Sequence, residues 1–82
     1  MERDLQEILK KKNIKISIKQ FKLNFFKKNL LDSIQFLELV SHIEKKYKIN
    51  FSNKEMSNEK FYSIQGITIC LKKKLYFNKK KY

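Results

Sequence analysis

The chain has no proline, no tryptophan, one glycine (Gly66), one cysteine (Cys70), one histidine (His42) and one arginine (Arg3). Each scarcity excludes something. One glycine cannot build a phosphate-cradling loop, which needs several backbone positions without a Cβ. One cysteine forms no internal disulfide, and no Cys/His cluster has the spacing of a metal site. With a single histidine and a single cysteine, the sequence offers no compelling nucleophile–base pair. Catalysis by this chain alone is not expected. One arginine argues against sequence-specific nucleic-acid recognition, which favours bidentate guanidinium contacts. No apolar run approaches the ~20 residues of a membrane span, and Met1-Glu2-Arg3-Asp4 lacks the form of a secretory signal. A cytoplasmic monomer is the expectation.

Lysine is what the chain has in excess. Of its 82 residues, 20 are Lys or Arg against 8 Asp or Glu, a formal net charge of +12. Nineteen of the basic residues are lysines, and Ile, Asn, Phe and Tyr are also abundant, as A/T-rich codons would supply. The charge is unevenly spread. Residues 1–29 carry a net +6, residues 71–82 another +6, and residues 30–70 balance five bases against five acids. The middle of the chain does not act through a positive face.

Eighty-two residues suffice for one small core, burying about 60–65% of the unfolded chain's surface. Leu5, Ile8 and Leu9 at helical spacing predict an amphipathic helix from Arg3 to about Lys12. Residues 13–32 alternate Ile14, Ile16 and Ile18 with polar residues, a strand period without a strand to pair with. They read as a long ordered loop whose isoleucines, Phe21, Phe25 and Phe26 fill the core, and loops of that length are usually functional. Ile34, Leu37, Val40 and Ile43, widened by Leu39 and closed by Tyr47, predict the strongest helix, from Ser33 to Lys48, with this stripe buried. Ile49 and Phe51 read as an apolar connection. Ser57 is the expected cap of a short turn through Phe61, and Ser63 that of a last helix carrying Ile64, Ile67, Leu71 and Leu75. Gly66 within it would admit a close neighbour. The sum is an all-α, four-helix bundle spanning 1–77, with a Lys-rich tail at 78–82. Cys70 reads as a packing residue and His42 as a solvated one.

The junction of the long loop and the main helix reads Leu30-Leu31-Asp32-Ser33-Ile34. Ser33 has two readings there. It is an N-cap satisfying an orphan backbone N–H, or it is a modified serine whose phosphate ester meets free N–H groups and the positive helix end.

Asp32-Ser33-Ile34, Leu37-Glu38-Leu39-Val40, Ile43-Glu44 and Tyr47-Lys48-Ile49, continuing through Glu55, Phe61 and Ser63-Ile64 to Ile67, resemble the acyl and peptidyl carrier protein family. The likeness covers about residues 26–75. It implies a four-helix carrier bundle with a long loop between helices 1 and 2, a short third helix, and phosphopantetheine on Ser33. Asp32 would support the modification. The prosthetic thiol would carry an acyl or aminoacyl thioester between a loading ligase and downstream transferases, after loading of the group by a phosphopantetheinyl transferase. Ile34, Phe36, Leu37, Glu38 and Ser41 would meet these partners, with a ring folded back onto the bundle as the other reading of Phe36. The junction looks more like the stand-alone aminoacyl or specialised acyl carriers than the fatty-acid one. Two departures stand out. Leu30 occupies a position usually held by glycine, and Lys45, Lys46 and Lys48 lie on a helix that is typically acidic. The competing expectation is a basic helical module that binds nucleic acid or an anionic surface through its Lys-rich ends.

Overall fold

A computed structural model describes the backbone of residues 1–80 and the side chains of residues 1–76. Among the described residues all regular structure is helical: α1 (Glu2–Lys11), α2 (Ser33–Tyr47), α3 (Asn53–Met56) and α4 (Ile64–Lys80). Two short 3-10 turns, Ile18–Gln20 and Glu59–Phe61, complete the chain's regular elements. The Lys-rich segment 78–82 expected as a tail is helical through Lys80; its side chains, and residues 81–82 altogether, lie outside the described residues.

α1 forms where the sequence predicts it. Glu2 and Asp4 sit in its first turn and Lys10 and Lys11 in its last, the order that opposes the helix dipole favourably. Leu5, Ile8 and Leu9 are its buried face, packed against both α2 and α4. Asn13, at φ 64°, takes the left-handed turn that ends it, a conformation Asn tolerates better than most residues. α1 and α2 run antiparallel. The Tyr47 hydroxyl near the end of α2 donates to Asp4 Oδ2 at 2.9 Å, while Lys12 at the end of α1 reaches Glu38 at 3.1 Å.

The long connection is ordered by its own side chains, as expected for 13–32. Ile16, Phe21, Phe25 and Leu31 are buried. Ile18 is the exception; it is 65% exposed, because the 3-10 turn rotates it away from the side that Ile16 buries. Gln6 Nε2 donates to the Ile16 carbonyl at 2.8 Å, tying the loop to α1. The Asn24 side chain accepts from the N–H groups of Phe26 and Lys27. Two further bonds tie the loop to the entrance of α4: Phe25 N–H to the Tyr62 carbonyl at 2.7 Å and Gln65 N–H to the Phe21 carbonyl at 2.9 Å.

The short third helix starts earlier than expected. Ser52 caps α3 through Glu55 N–H at 3.1 Å, and Glu55 Oε1 returns the bond to Ser52 N–H at 2.7 Å. Ser57 instead closes α3, donating to the Lys54 carbonyl at 3.1 Å. Asn58, not Ser57, caps the Glu59–Phe61 turn. The reason lies in the reciprocal Ser52/Glu55 box, which satisfies two orphan donors at once. Ser63 caps α4 as expected, its hydroxyl accepting from Gly66 N–H at 3.0 Å.

Gly66 is required by contact. A Cβ built on it would lie 1.6 Å from the Lys60 carbonyl oxygen and 2.8 Å from its carbon. Both are backbone atoms, so neither can swing aside. Ordinary helix propensity favours alanine over glycine by about 1 kcal/mol; here the overlap reverses the sign. Gly66→Ala is expected to destabilise the fold by about 2 kcal/mol or more, which thermal unfolding would register as a Tm about 8–16 °C lower for a domain of this size.

Candidate functional site

Asp32, not Ser33, is the N-cap of α2. Its carboxylate accepts from Gln35 N–H at 2.8 Å, and Gln35 Oε1 accepts from Asp32 N–H at 3.0 Å, a reciprocal box. The Phe36 N–H to Asp32 carbonyl bond at 2.9 Å opens the helical ladder. Ser33 is therefore the first helical residue. It is exposed, and its hydroxyl makes no hydrogen bond within the described residues. The N–H groups of Ser33 and Ile34 precede the ladder and have no intrahelical acceptor. A hydroxyl and two backbone donors thus share the positive end of a helix of 15 residues.

The approach to this turn shows how the chain manages without the expected glycine. Leu30 has no left-handed conformation; Asn29 takes it, at φ 53°. The Leu30 N–H bonds the Phe25 carbonyl at 2.8 Å, and Leu31 is buried just before the cap. The left-handed residue of this turn is an asparagine, one before Leu30.

Phe36 corrects the sequence reading twice. Of its two expected places, a partner contact and a ring folded back onto the bundle, the structure has the second: it is only 5% exposed. Its ring lies 6.2 Å from that of Phe25, 5.3 Å from Phe26, 5.9 Å from Phe61 and 5.4 Å from Tyr62. The loop and the second 3-10 turn supply these rings, so the core claims Phe36. Its burial also rotates α2. The buried face is Phe36, Leu39, Val40 and Ile43, with Tyr47 packed against the core. Ile34 and Leu37, expected within the buried stripe, are instead 70% and 57% exposed. Together with Glu38 and Ser41, both exposed, they form the outer face next to Ser33.

The two acids of α2 are already engaged. Glu38 pairs with Lys12, and Glu44 Oε2 accepts from Phe51 N–H at 2.8 Å, bracing the connection after α2. Lys48 ends the helix in a left-handed conformation at φ 55°. His42 is exposed, as expected. It borders a shallow cleft that Lys12, Glu38, Ser41, Lys45 and Lys46 also line.

Cys70 stands apart from Ser33, and the structure gives it a partner that the sequence reading missed. Its thiol donates to Glu55 Oε2 at 3.2 Å, while Lys74 holds Glu55 Oε1 at 2.9 Å. Burial, then the Glu55 hydrogen bond and charge, push the thiol up to about 11 against the pull of Lys74 and Lys73. A thiol held that way is a poor nucleophile at neutral pH. Partial burial pushes Glu55 up as well. The hydrogen bonds from Lys74, Ser52 and Cys70 together outweigh it and bring the carboxyl down to about 2. Tyr47 is raised to about 12 by burial, then by its hydrogen bond to Asp4 and the charge there. Among the described residues no group of three His, Cys, Asp or Glu side chains has the arrangement of a metal site. No helix among them is long and apolar enough to cross a membrane.

The rotation of α2 can be read by paired truncations. Phe36→Ala is expected to cost about 3–5 kcal/mol, whereas Leu37→Ala on the outer face should change stability by no more than about 0.5 kcal/mol; chemical denaturation measures both. A depressed Glu55 stabilises the fold above its ordinary pKa of 4.5, and that contribution disappears as pH falls toward 2. Glu55→Gln should therefore flatten the fall in Tm between pH 4.5 and 2. The chain matches no protein-family model, no curated protein and no solved structure, so the residues of the α2 turn carry the functional case.

Proposed function

We propose that this protein is an acyl or peptidyl carrier, with phosphopantetheine attached to the Ser33 hydroxyl and an acyl or aminoacyl group held on it as a thioester. The observation that carries the reading is the state of Ser33. It is exposed and unbonded at the first turn of α2, while the neighbouring Asp32 performs the capping that would otherwise occupy it. A serine needed for the cap would be unavailable for esterification without loss of the helix end. Here the two tasks are divided between adjacent residues.

The surroundings fit the group. Its phosphodiester would meet the N–H groups of Ser33 and Ile34 at the positive helix end, which favours negative charge. The outer face of Ile34, Leu37, Glu38 and Ser41 borders the attachment point and is accessible to enzymes. When bound, the group supplies a thiol on a flexible arm, and tethering converts encounters with separate enzymes into local reactions. The chain's own part is to hold the serine at a rigid helix end and to present the face beside it. Asp32 keeps one carboxylate oxygen on Gln35 N–H, and as the residue before Ser33 it would orient the acceptor hydroxyl during transfer. Cys70, with its raised thiol, is no rival to the prosthetic sulfur near neutral pH. The partners in this reading are a phosphopantetheinyl transferase, a loading ligase and the transferases that take the cargo.

Intact mass after incubation with coenzyme A and a broad-specificity phosphopantetheinyl transferase tests the reading. The wild type should gain one phosphopantetheine, and Ser33→Ala should gain none while keeping its Tm. Modification of the alanine variant at the wild-type level would move the site elsewhere, and an unmodified wild type would remove the reading. Asp32 separates capping from chemistry. Asp32→Asn retains a good N-cap and should keep its stability but lose most of its transfer rate. Asp32→Ala should lose the rate and also about 1 kcal/mol of stability.

A further inference from the structure

From Ile64 onward the sequence contains no acid, and α4 carries Lys72, Lys73 and Lys74 in succession. Lys74 turns toward α3, where it pairs with Glu55 at 2.9 Å. The outer face is a different set. Ile69, Lys72, Lys73 and Tyr76, at i, i+3, i+4 and i+7, fall within about 100° of the helix circumference, and all four are exposed. Ile69 is 50% exposed and Tyr76 56%, so an aliphatic chain and a phenol ring bracket the two lysines. The fold widens this stripe. Lys22 from the long loop and Lys60 from the second 3-10 turn line shallow clefts that Ile69 also borders. Two acids stand near, Glu55 and Glu59, and each is in an ion pair, with Lys74 and with Lys27. The remaining acids belong to α1 and to α2 with its cap, and none of them pairs with a lysine of α4 among the described residues. Lys22, Lys60, Lys72 and Lys73 form no ion pair within the described residues, so the face keeps their positive charge.

We infer that this face of α4 rests on the surface of an anionic phospholipid bilayer, with Ile69 and Tyr76 at the headgroup boundary and Lys22, Lys60, Lys72 and Lys73 over the lipid anions. Neither Ser33 nor the outer face of α2 takes part, so the adhesion stands or falls apart from the carrier reading. Charge complementarity gives the sign. The all-lysine make-up gives the class: point charges on flexible stems follow a fluid array of headgroups, whereas nucleic-acid readout favours the arginine fork. Ile69 points the same way. A half-exposed isoleucine finds no apolar partner on a sugar-phosphate backbone, but it gains from leaving water among acyl chains. Tyrosine suits the boundary because one end is apolar and the other wet. Single-strand binding calls for successive aromatic platforms, and among the described residues this face has one. Since Ile64, Ile67 and Leu71 are buried in the core, α4 has no further apolar stripe to insert. The contact is therefore shallow, reversible and salt-sensitive.

Co-sedimentation of the full-length chain with vesicles of equimolar phosphatidylcholine and phosphatidylserine, and with phosphatidylcholine alone, is the test. The mixed vesicles should bind the chain and the neutral ones should not, and binding should fall as salt rises. K72Q/K73Q should weaken binding by about tenfold or more, and K22Q/K60Q from the neighbouring elements by a similar factor. Ile69→Ser should weaken it by about threefold or more. K10Q/K45Q removes the same charge from exposed positions on α1 and α2, and should cost no more than about twofold. On the wild type, a paramagnetic headgroup in the mixed vesicles should broaden the NMR signals of Ile69, Lys72 and Lys73 before those of Ile34 and Leu37. Equal losses from K72Q/K73Q and K10Q/K45Q, equal binding to the two kinds of vesicle, or broadening first at Ile34 and Leu37 would overturn the inference. Tighter binding to single-stranded DNA or to polyglutamate at matched charge, indifferent to Ile69→Ser, would also overturn it and assign the face to a nucleic acid or an acidic protein. Phosphopantetheine transfer to Ser33 should be the same in K72Q/K73Q as in the wild type. Its failure in both would remove the carrier reading and leave the adhesion standing.

Discussion

Four aromatic rings surround Phe36 at centroid distances of 5.3 to 6.2 Å, and the geometry of the Ser33 end follows from that one packing arrangement. Three of the four pairs are edge-to-face, and such pairs contribute about 0.5–1.5 kcal/mol each beyond area burial. The rings come from three segments far apart in sequence: the loop gives Phe25 and Phe26, α2 gives Phe36, and the second 3-10 turn region gives Phe61 and Tyr62. Phe51 extends the cluster through Phe61 at 4.9 Å. Since Phe36 lies three residues after Ser33, fixing its ring fixes the first turn of α2. Ile34 and Leu37 then have no route to the core. The outer face is apolar as a consequence of the inner one.

The same end of the molecule contains little helix that could stand alone. α3 has four residues and the second 3-10 turn three, well below the length at which isolated helices persist in water. Their stability is borrowed. Glu55 joins α3 to α4 through Lys74 and Cys70, Lys27 pairs with Glu59 from the loop side, and the Lys60 carbonyl sits against Gly66. That last contact explains why a residue unfavourable to helices occupies the first turn of α4. The close approach of one backbone to another is worth more than the lost propensity.

Much of this was legible locally. The apolar spacing of Leu5, Ile8 and Leu9 and of Ile64, Ile67 and Leu71 defined α1 and α4, because only one stripe was available in each. α2 offered two. Val40 and Ile43 belong to either, and Ile34 with Leu37 competes against Phe36 with Leu39 on nearly equal apolar content. The choice depends on which face finds partners, and those partners are the distant rings of Phe25, Phe26, Phe61 and Tyr62. Local periodicity holds no such information. The caps are a different case. Asp32 with Gln35 and Ser52 with Glu55 are both spaced as capping boxes, so the assignments to Ser33 and Ser57 missed a signal that was present. The pairs Lys12–Glu38, Asp4–Tyr47 and Glu55–Cys70 bridge 15 to 43 residues and could be found only once the helices were placed.

Net charge is the least informative number in the sequence, and the outer face of α2 shows why. A charge of +12 suggests a polyanion partner, but charge acts through local fields damped within about 8–10 Å at ordinary ionic strength. What a partner meets beside Ser33 is therefore set by a few side chains. One of them, Glu38, is an acid on paper and paired with Lys12 in the fold. Its charge is offset by a lysine of the basic N-terminal segment, so where a charge sits matters more than the total. The aromatic packing that turns Phe36 inward exposes Ile34 and Leu37 beside Ser33. One helix thereby carries part of the core, the exposed Ser33 hydroxyl and an outer apolar pair, with Asp32 holding the end where they meet.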